Sequence, residues 1–276
     1  MIERAPPPKV TIVTPSFNQA RFLERTITSV LGQDYDNLEY IVIDGGSTDG
    51  SLDIIQRYAD RLAHWVSEGD LGQADAINKG LAQARGEIVA WLNSDDTYLP
   101  GAIAEAVDYL QAHPDVGLVY GKAYYIDEDD RRVADYPAGP TDHRGLRRGV
   151  TTIPQQATFF RARLWREVGP LDPTFYYAMD YDLWVRISAA APIAFHPRPW
   201  ANFRLHESSK SSNEAYRCWP EMMRVHFRDG GGRFSILYAK YLVRRVVEPI
   251  MPLRLRWRRW TYALQSKLAG SKADSP

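Results

Sequence analysis

The sequence is poor in the features that mark secreted and membrane-spanning proteins. Its single cysteine, Cys218, excludes a disulfide within the chain, which fits a reducing compartment. No apolar run approaches the roughly 18 residues that would suggest a membrane span. The first residues, MIERAPPPK, include an acid and three prolines but no apolar core, so they do not form a secretory signal. We therefore expect a cytoplasmic protein.

The chain also lacks net charge, but its charges are unevenly distributed. Residues 211–276 contain 13 basic and 5 acidic residues, a net charge of +8. Residues 1–210 contain 21 basic and 29 acidic residues, a net charge of −8. This asymmetry predicts an acidic body over 1–210 and a basic, helical C-terminal extension over 211–276.

Strand and helix patterns alternate along the first 113 residues. Short runs rich in β-branched and apolar residues predict four strands, KVTIVT (9–14), LEYIVID (38–44), HWVSE (64–68) and EIVAWL (87–92). Apolar residues at helical spacing lie between them, and a further helix is predicted from Pro100 to about His113. The alternation predicts an α/β fold with a mostly parallel, Rossmann-like sheet covered by helices on both faces.

The pattern becomes mixed in the second half of the body. VGLVY at 116–120 predicts a strand, and the acidic turn DEDD that follows indicates a hairpin. QATFF (156–160) and ANFRLH (201–206) predict strands on either side of a helix at about 181–190. We expect this half to complete the same domain, and Gly230-Gly231-Gly232 to mark a hinge before the basic helical extension.

Polar side chains follow three of the predicted parallel strands. They are Thr14 to Asn18 after the first strand, Asp44 after the second, and Asn93-Ser94-Asp95-Asp96 after the fourth. Ligands of open parallel sheets bind at the carboxyl ends of strands, so these residues should converge on one crevice. The adjacent carboxylates repel each other, and a divalent cation would remove that cost. Alternatively, they form a solvated loop that caps the next helix.

Four segments, in this order, resemble family 2 glycosyltransferases. They are VTIVTPSFNQARFLERTITSVLGQ, IVIDGGSTDGS, SEGDLGQADAINKGLAQARGEIVAWLNSDD and MDYDLWVRI. The resemblance covers about residues 8–210 and implies a nucleotide-sugar domain of the GT-A type over 1–210. It implies an inverting, metal-dependent hexosyltransferase that moves one sugar from a UDP-, GDP- or dTDP-sugar to a hydroxyl acceptor. The chain has no Gln-x-x-Arg-Trp motif, which favours a non-processive enzyme.

The resemblance also implies roles for individual residues around the nucleotide. Thr14, Pro15 and Phe17 would line its pocket, and Asp44 would accept a hydrogen bond from the base. Asp44 could instead be the turn residue that opens the GGSTDG loop. The remaining implied nucleotide contacts are Asp70, Asn78 and Asp95, the last of which would contact the ribose or the metal shell.

The same resemblance implies a metal site for Mn²⁺ or Mg²⁺. Asp96 would be the direct ligand on the diphosphate, and His206 a further metal or phosphate contact. Ser209 and Lys210 could reach phosphate from the following loop. Ser94 occupies a position where relatives often have Asp, so the division of roles between the two adjacent acids stays open.

The proposed general base lies in the segment MDYDLWVRI. Asp180 aligns with the catalytic carboxylate of the family, although Met179 precedes it where many relatives have Glu. An inverting transferase needs one group that takes the proton from the acceptor hydroxyl. Asp180 could also be the N-cap of the following helix. Asp182 is the alternative base, and two residues apart on a helix the two acids would face nearly opposite directions.

The basic extension favours a surface role. Arginines, aliphatic residues and tryptophans mix in RRVVEPIMPLRLRWRRW (244–260), a composition typical of membrane interfaces. We expect peripheral contact with the inner face of the cell membrane and no contact with nucleic acid. We also expect a glycan or lipid-linked acceptor and a role in cell-surface polysaccharide or glycolipid assembly. Alternatively, the extension packs on the body with its arginines solvated.

Two other classes of function remain open from the sequence. A sugar nucleotidyltransferase also uses an α/β fold, aspartates and Mg²⁺, but it usually has a glycine-rich loop after the first strand, where this chain has TPSFNQ. A non-catalytic module that binds nucleotide sugar or membrane is the other alternative.

Overall fold

The computed structural model describes residues 6–207 and 218–247. The strands in these residues are β1 (Val10–Ser16), β2 (Leu38–Asp44), β3 (His64–Ser67), β4 (Ile88–Trp91), β5 (Thr97–Tyr98), β6 (Leu118–Ile126), β7 (Arg132–Asp135), β8 (Thr158–Arg161) and β9 (Ile193–Arg204). The α-helices are α1 (Ala20–Leu31), α2 (Ser51–Arg57), α3 (Gln73–Gln83), α4 (Ala102–Ala112), α5 (His143–Arg147), α6 (Ala162–Val168), α7 (Met179–Ala190), α8 (Cys218–Arg228) and α9 (Ile236–Val247).

All nine strands belong to one sheet. Eight of them follow the order β3-β2-β1-β4-β8-β6-β9-β5, and the ninth, β7, pairs with the C-terminal part of β6. The first four strands pair in parallel. Strand β8 then runs antiparallel to both β4 and β6, while β6 and β9 are parallel. The predicted α/β fold, with a parallel first half and a mixed second half, is therefore confirmed.

The central strands β1 and β4 are buried along their whole length because both faces of the sheet are covered. Neighbouring residues of β1 point to opposite faces, so Ile12 belongs to the core that includes residues of α1 and α4, while Val13 belongs to the core that includes residues of α3 and α7. The helix α3 approaches β1 so closely that a Cβ on Gly80 would lie 2.4 Å from a methyl group of Val13. Glycine at position 80 thus allows the helix to pack directly on the strand.

Strand β9 is longer than the predicted strand at 201–206. It begins at Ile193 and pairs along β6 as far as Ile126 opposite Arg204. Pro197 and Pro199 lie inside it, and proline cannot donate to a strand ladder. The register between β6 and β9 shifts on both sides of Lys122, which is opposite Pro199, and this irregularity accommodates the proline-containing segment.

The described part of the C-terminal extension packs into the body. Met222, Val225 and Leu237 are buried in the same core as Trp184 of α7. The glycines expected to form a hinge make the turn between α8 and α9, where the N–H of Gly230 donates to the carbonyl of Phe227 at 3.2 Å. The core therefore continues beyond residue 210.

Two features expected from the sequence involve residues outside the described ranges. Ser209 and Lys210, and the part of the basic segment from residue 248 onward, lie outside the described residues. Across 6–207 and 218–247, no helix combines the length and apolar character needed to cross a bilayer.

Candidate active site

The carboxyl ends of the parallel strands meet at one edge of the sheet. Ser16 pairs with Asp44, Asp44 pairs with Ser67, and Val13 pairs with Trp91 at the end of β4. The loops after β1 and β2 are also joined, because the N–H of Thr48 donates to Oδ1 of Asn18 at 2.9 Å. The structure therefore brings together the polar residues that follow these strands, as expected for a ligand crevice.

Asp44 is fully buried and organises the loop after β2. Its Oδ2 accepts hydrogen bonds from the N–H of Ser47 at 2.8 Å and from Oγ of Ser67 at 2.7 Å. Its Oδ1 accepts from Oγ of Ser47 at 2.6 Å. The structure thus shows the turn role of this carboxylate, and its contact with a nucleotide base stays a prediction.

Asp70 lies against the same loop from the β3 side. A Cβ on Gly45 would lie 2.7 Å from Oδ2 of Asp70, so the carboxylate can occupy this position only because residue 45 is glycine. Its Oδ1 accepts the N–H of Gly72 at 2.8 Å, and the side chain remains partly exposed. Asp70 therefore leaves a partly exposed carboxylate at this edge of the sheet, whereas the carboxylate of Asp44 is buried.

Asn78 uses both polar atoms of its amide for structure. Its Nδ2 donates to the carbonyl of Leu171 at 2.8 Å, and its Oδ1 accepts the N–H of Leu171 at 2.9 Å. This pair of bonds fixes α3 to the segment that precedes α7. The predicted contact of Asn78 with a nucleotide remains untested, and the amide has a structural role.

The three residues expected to line the nucleotide pocket differ in exposure. Thr14 and Pro15 are buried within β1, and the hydroxyl of Thr14 lies 3.0 Å from that of Tyr40. Phe17, in the loop after β1, has 60% of its surface exposed. Of these three side chains, the ring of Phe17 offers the open apolar surface.

Asp95 and Asp96 have different surroundings. Asp96 is fully buried, and its Oδ1 accepts the N–H of Arg204 at 2.9 Å. Burial, followed by the charge of Asp95, raises the pKa of Asp96 well above its ordinary value. Asp95 is only half-buried, and its Oδ2 lies 2.9 Å from Nε2 of His206. Of the two acids, Asp95 is therefore the one that contacts His206, and the metal roles expected for Asp96 and His206 stay predictions.

Sequence analysis missed a buried cation beneath this acidic loop. The side chain of Arg204 is fully buried, and its Nε donates to the carbonyl of Asp95 at 2.8 Å. Its guanidinium also pairs with the carboxylate of Asp130 and lies 4.9 Å from the ring centre of Phe22. The available signal was an arginine inside the apolar strand ANFRLH, two residues before His206.

Asp180 lies in the first turn of α7 beside a cavity of about 320 Å³. The N-cap of α7 is Ala178, so the alternative prediction that Asp180 is the N-cap is wrong. Burial raises the pKa of Asp180 to about 6, with the charge of Glu221 adding to the increase and hydrogen bonding to the N–H of Tyr181 opposing it. Asp180 is the one acidic side chain among the described residues lining this cavity.

The alternative base, Asp182, is engaged elsewhere. Its carboxylate is fully buried and pairs with Arg186 at 3.0 Å and with Arg228 of α8. It does not line the cavity beside Asp180. Of the two acids, Asp180 is the one that adjoins the cavity, and the choice of Asp180 over Asp182 as the base stays a prediction.

Asp95 and His206 offer a partial ligand set for a divalent cation. A carboxylate oxygen and an imidazole nitrogen suit Mn²⁺, and Mg²⁺ commonly binds through one or two carboxylates plus phosphate oxygens. Across 6–207 and 218–247, no group of three or more His, Cys, Asp or Glu side chains is assembled to hold a metal. A cation at this pair would therefore need further oxygens from a bound phosphate or from water.

Comparison with known proteins shows the family to which the chain belongs. The model of glycosyl transferase family 2 matches residues 11–172. The chain belongs to this family and is a glycosyltransferase. An uncharacterized glycosyltransferase of Mycobacterium tuberculosis is 35% identical over 184 residues, which cover 65% of this chain and 68% of that relative.

Solved structures confirm the GT-A type of fold. The S. aureus TarS fragment 1–349, in complex with UDP-GlcNAc, superposes with a TM-score of 0.64 at 19% identity over 80% of this chain and 66% of that one. The mannosyltransferase PcManGT of Pyrobaculum calidifontis, in complex with GDP-Man and Mn²⁺, gives a TM-score of 0.62 at 23% identity over 98% of this chain and 76% of that one.

Proposed function

We propose that this glycosyltransferase moves a single sugar from a nucleotide-diphosphate sugar to a hydroxyl acceptor, with inversion at the anomeric carbon and Asp180 as the general base. The observation that carries the proposal is the position of Asp180 beside the cavity, with a pKa raised by burial to about 6. General bases are most effective when their pKa lies near the working pH, so this carboxylate is suited to accept a proton.

Proton transfer and bond exchange are coupled in one displacement. The acceptor hydroxyl loses its proton to a carboxylate oxygen of Asp180 as its oxygen attacks the anomeric carbon. The bond between that carbon and the diphosphate oxygen breaks on the opposite face of the sugar. The products are the inverted glycoside, a nucleoside diphosphate and protonated Asp180, which returns its proton to solvent.

The nucleotide is proposed to bind at the carboxyl ends of β1 to β4. The exposed ring of Phe17 supplies an apolar surface for a base, and the partly exposed carboxylate of Asp70 supplies an acceptor for an imide N–H. TarS and PcManGT, which share this fold, are seen with UDP-GlcNAc and GDP-Man respectively. These observations support a nucleotide-sugar donor. The donor-binding experiment identifies which nucleobase this donor carries.

Asp95 and His206 are proposed to hold Mn²⁺ or Mg²⁺ together with the donor diphosphate. Their donor atoms fit such an ion, and PcManGT is seen with Mn²⁺. When bound, the cation would stabilise the negative charge that develops on the departing diphosphate. Asp96 then serves as the buried support of the loop through its bond to the backbone of Arg204.

The cavity beside Asp180 is proposed to receive the acceptor. Its wall includes the aromatic side chains of Tyr136, Trp184 and Trp219, which suit the apolar faces of a sugar ring. Arg244 also lines it, with its guanidinium carbon 4.7 Å from the ring centre of Trp219. This combination supports an acceptor with an anionic group, such as the phosphate of a lipid-linked glycan in cell-surface polysaccharide or glycolipid assembly.

A peripheral association with the cytoplasmic face of the membrane is part of the same proposal. On α9, the exposed apolar side chains of Leu242 and Val243 lie close in sequence to the exposed Arg245. Neighbouring apolar and cationic side chains suit the interface of an anionic bilayer. Sedimentation with anionic and with neutral vesicles tests this part, and equal recovery with both contradicts it.

The proposed function is tested by donor binding followed by turnover. Thermal-shift measurements with UDP-, GDP- and dTDP-sugars, with and without Mn²⁺, identify the donor, because a ligand of the folded state raises its apparent stability. Asp180→Asn is then expected to bind this donor normally but to lose about 10²- to 10⁴-fold in transfer rate. The exposed Asp53→Asn is the matched control.

Two outcomes would overturn the assignment. Normal turnover by Asp180→Asn contradicts the role of this residue as the base. Pyrophosphate release from a nucleoside triphosphate and a sugar phosphate would instead indicate a nucleotidyltransferase, and donor binding without hydrolysis or transfer would indicate a binding module.

A further inference from the structure

The helix α8 directs three charged side chains toward the segment that carries Asp180. Glu221, Arg224 and Arg228 follow one another at spacings of three and four residues, which place them on one face of the helix. Each contacts the stretch 172–182, which begins before α7 and includes its first turn. The segment with the proposed base is therefore held by a helix that lies beyond the acidic body.

Glu221 makes the contacts nearest to Asp180. Its Oε2 accepts the N–H groups of Tyr177 and Ala178, each at 2.8 Å, and its Oε1 accepts that of Tyr176 at 3.0 Å. Ala178 is the N-cap of α7 and offers no capping side chain. A carboxylate at this position satisfies three backbone donors at the start of α7 and is favoured by the helix dipole.

The two arginines secure the flanks of the same stretch. Arg224 donates to the carbonyl of Thr174 at 3.2 Å and to its hydroxyl at 2.7 Å. Arg228 pairs with the carboxylates of Asp182 and, at 3.6 Å, of Asp172. These contacts lie before and after residue 180, so the position of α8 fixes the backbone on both sides of the proposed base.

We propose that Glu221 is a positioning residue for catalysis, holding the backbone of residues 176–178 so that the carboxylate of Asp180 faces the acceptor cavity. This inference rests on the proposed role of Asp180 as the general base. It assigns part of the catalytic geometry to the C-terminal extension, which the resemblance to the family at 8–210 does not include.

Because Glu221 is charged, it also affects the pKa of Asp180, which an uncharged hydrogen-bonding side chain at this position would not do. Among the described residues, the titratable or charged groups around Asp180 are Glu221 and Cys218 on α8, Arg244 on α9, Tyr136 after β7, Tyr177 before α7, and Tyr181 on its own helix. Of these, Glu221 is the acid, and its charge raises the pKa of Asp180 further after burial has done so. Removal of this charge should lower the pKa of Asp180.

The test compares three substitutions at one position. Glu221→Ala removes both charge and hydrogen bonds, Glu221→Gln removes the charge but keeps one acceptor oxygen, and Glu221→Asp keeps the charge on a shorter side chain. Glu167→Gln is the control, because the side chain of Glu167 is 59% exposed and lies 4.0 Å from its partner, Arg163. Donor affinity, melting temperature, kcat and its pH dependence are measured for each full-length variant, with Asp180→Asn in parallel.

A small displacement of a catalytic group can reduce the rate by about 10²-fold, so we expect a loss of this order in kcat for Glu221→Ala. Glu221→Gln should lose less, and its acid limb should move to lower pH because the charge near Asp180 is gone. Glu221→Asp should recover part of the rate and keep the acid limb at its wild-type pH. Donor affinity should be unchanged in all three variants.

Distinct results would overturn this inference and the proposed function. Wild-type kcat and pH profiles for Glu221→Gln, with an inactive Asp180→Asn, would contradict the positioning role alone. If the Glu221 variants lose stability, donor affinity and rate to the same extent, and the acid limb of the pH profile does not move, then Glu221 has only a structural role. An active Asp180→Asn would instead remove the base on which the inference rests.

Discussion

Nε2 of His206 lies 2.9 Å from Oδ2 of Asp95, although 111 residues separate them in the chain. His206 follows β9 and Asp95 follows β4, so the contact joins the mixed half of the sheet to its parallel half. The half-buried Asp95 is thereby distinguished from Asp96, which is fully buried against the backbone of Arg204. Of the two adjacent acids, only the first is directed at an imidazole.

The first prediction concerns the metal. We expect Asp95→Asn and His206→Ala each to weaken Mn²⁺ binding in the presence of nucleoside diphosphate by at least about tenfold, because each removes a donor atom. Calorimetric titration with Mn²⁺ measures the change, and His113→Ala, an exposed histidine at the end of α4, is the control. Unchanged Mn²⁺ affinity in both variants would exclude this pair as ligands.

The second prediction is a pH dependence of turnover. Asp180 must be ionised to accept a proton, and its pKa is raised to about 6. The rate should therefore fall as the pH decreases through about 6, with the acid limb lying well above the ordinary value for aspartate of 3.8. Single-turnover rates at saturating donor and acceptor measure this limb. A flat profile down to pH 4.5 would contradict it.

The third prediction concerns stability at Asp180. Because the pKa in the folded state is raised above 3.8, the stabilisation from protonated Asp180 is fully present below about 3.8 and is lost as the pH rises through about 6. Asp180→Asn does not titrate, so it should be more stable than the wild type at pH 7.5. Thermal unfolding at several pH values compares them, and the difference should shrink toward pH 4.

The fourth prediction concerns the buried cation. Arg204→Met should lower the free energy of unfolding by about 1–3 kcal/mol, because it leaves the carbonyl acceptors of a fully buried guanidinium without their donor. Arg198→Met is the matched control in the same strand. Arg198 is 66% exposed and lies 3.0 Å from Glu105, so its loss should cost only about 0–1 kcal/mol. Urea denaturation distinguishes the two, and equal losses would contradict the prediction.

Sequence patterns predicted the parallel half of the sheet well. The expected strand at 38–44 coincides with β2, because a strand covered on both faces is a nearly continuous run of apolar residues. They were less informative for β9, where Pro197 and Pro199 obscure a strand that begins at Ile193. That segment becomes a strand through its pairing with β6, which is not a local property.

The candidate site was predictable in location and less so in its contacts. Carboxylates after successive parallel strands must lie at one edge of the sheet, and the register of Ser16, Asp44 and Ser67 confirms this. The buried Arg204 and the contacts of Glu221 with residues 176–178 were not expected. Both depend on chain segments that are distant in sequence and meet only after the sheet and α8 have packed.

The sequence by itself determined the alternation of strands and helices and which loops carry carboxylates, because apolar periodicity and turn residues are local properties. Tertiary structure decided which acid of each nearby pair reaches the candidate site and which one is buried or paired elsewhere. Asp95 meets His206 while Asp96 is buried, and Asp180 adjoins a cavity while Asp182 pairs with arginines. The direction and partners of a side chain depend on strand register and helix packing, which only the folded chain provides.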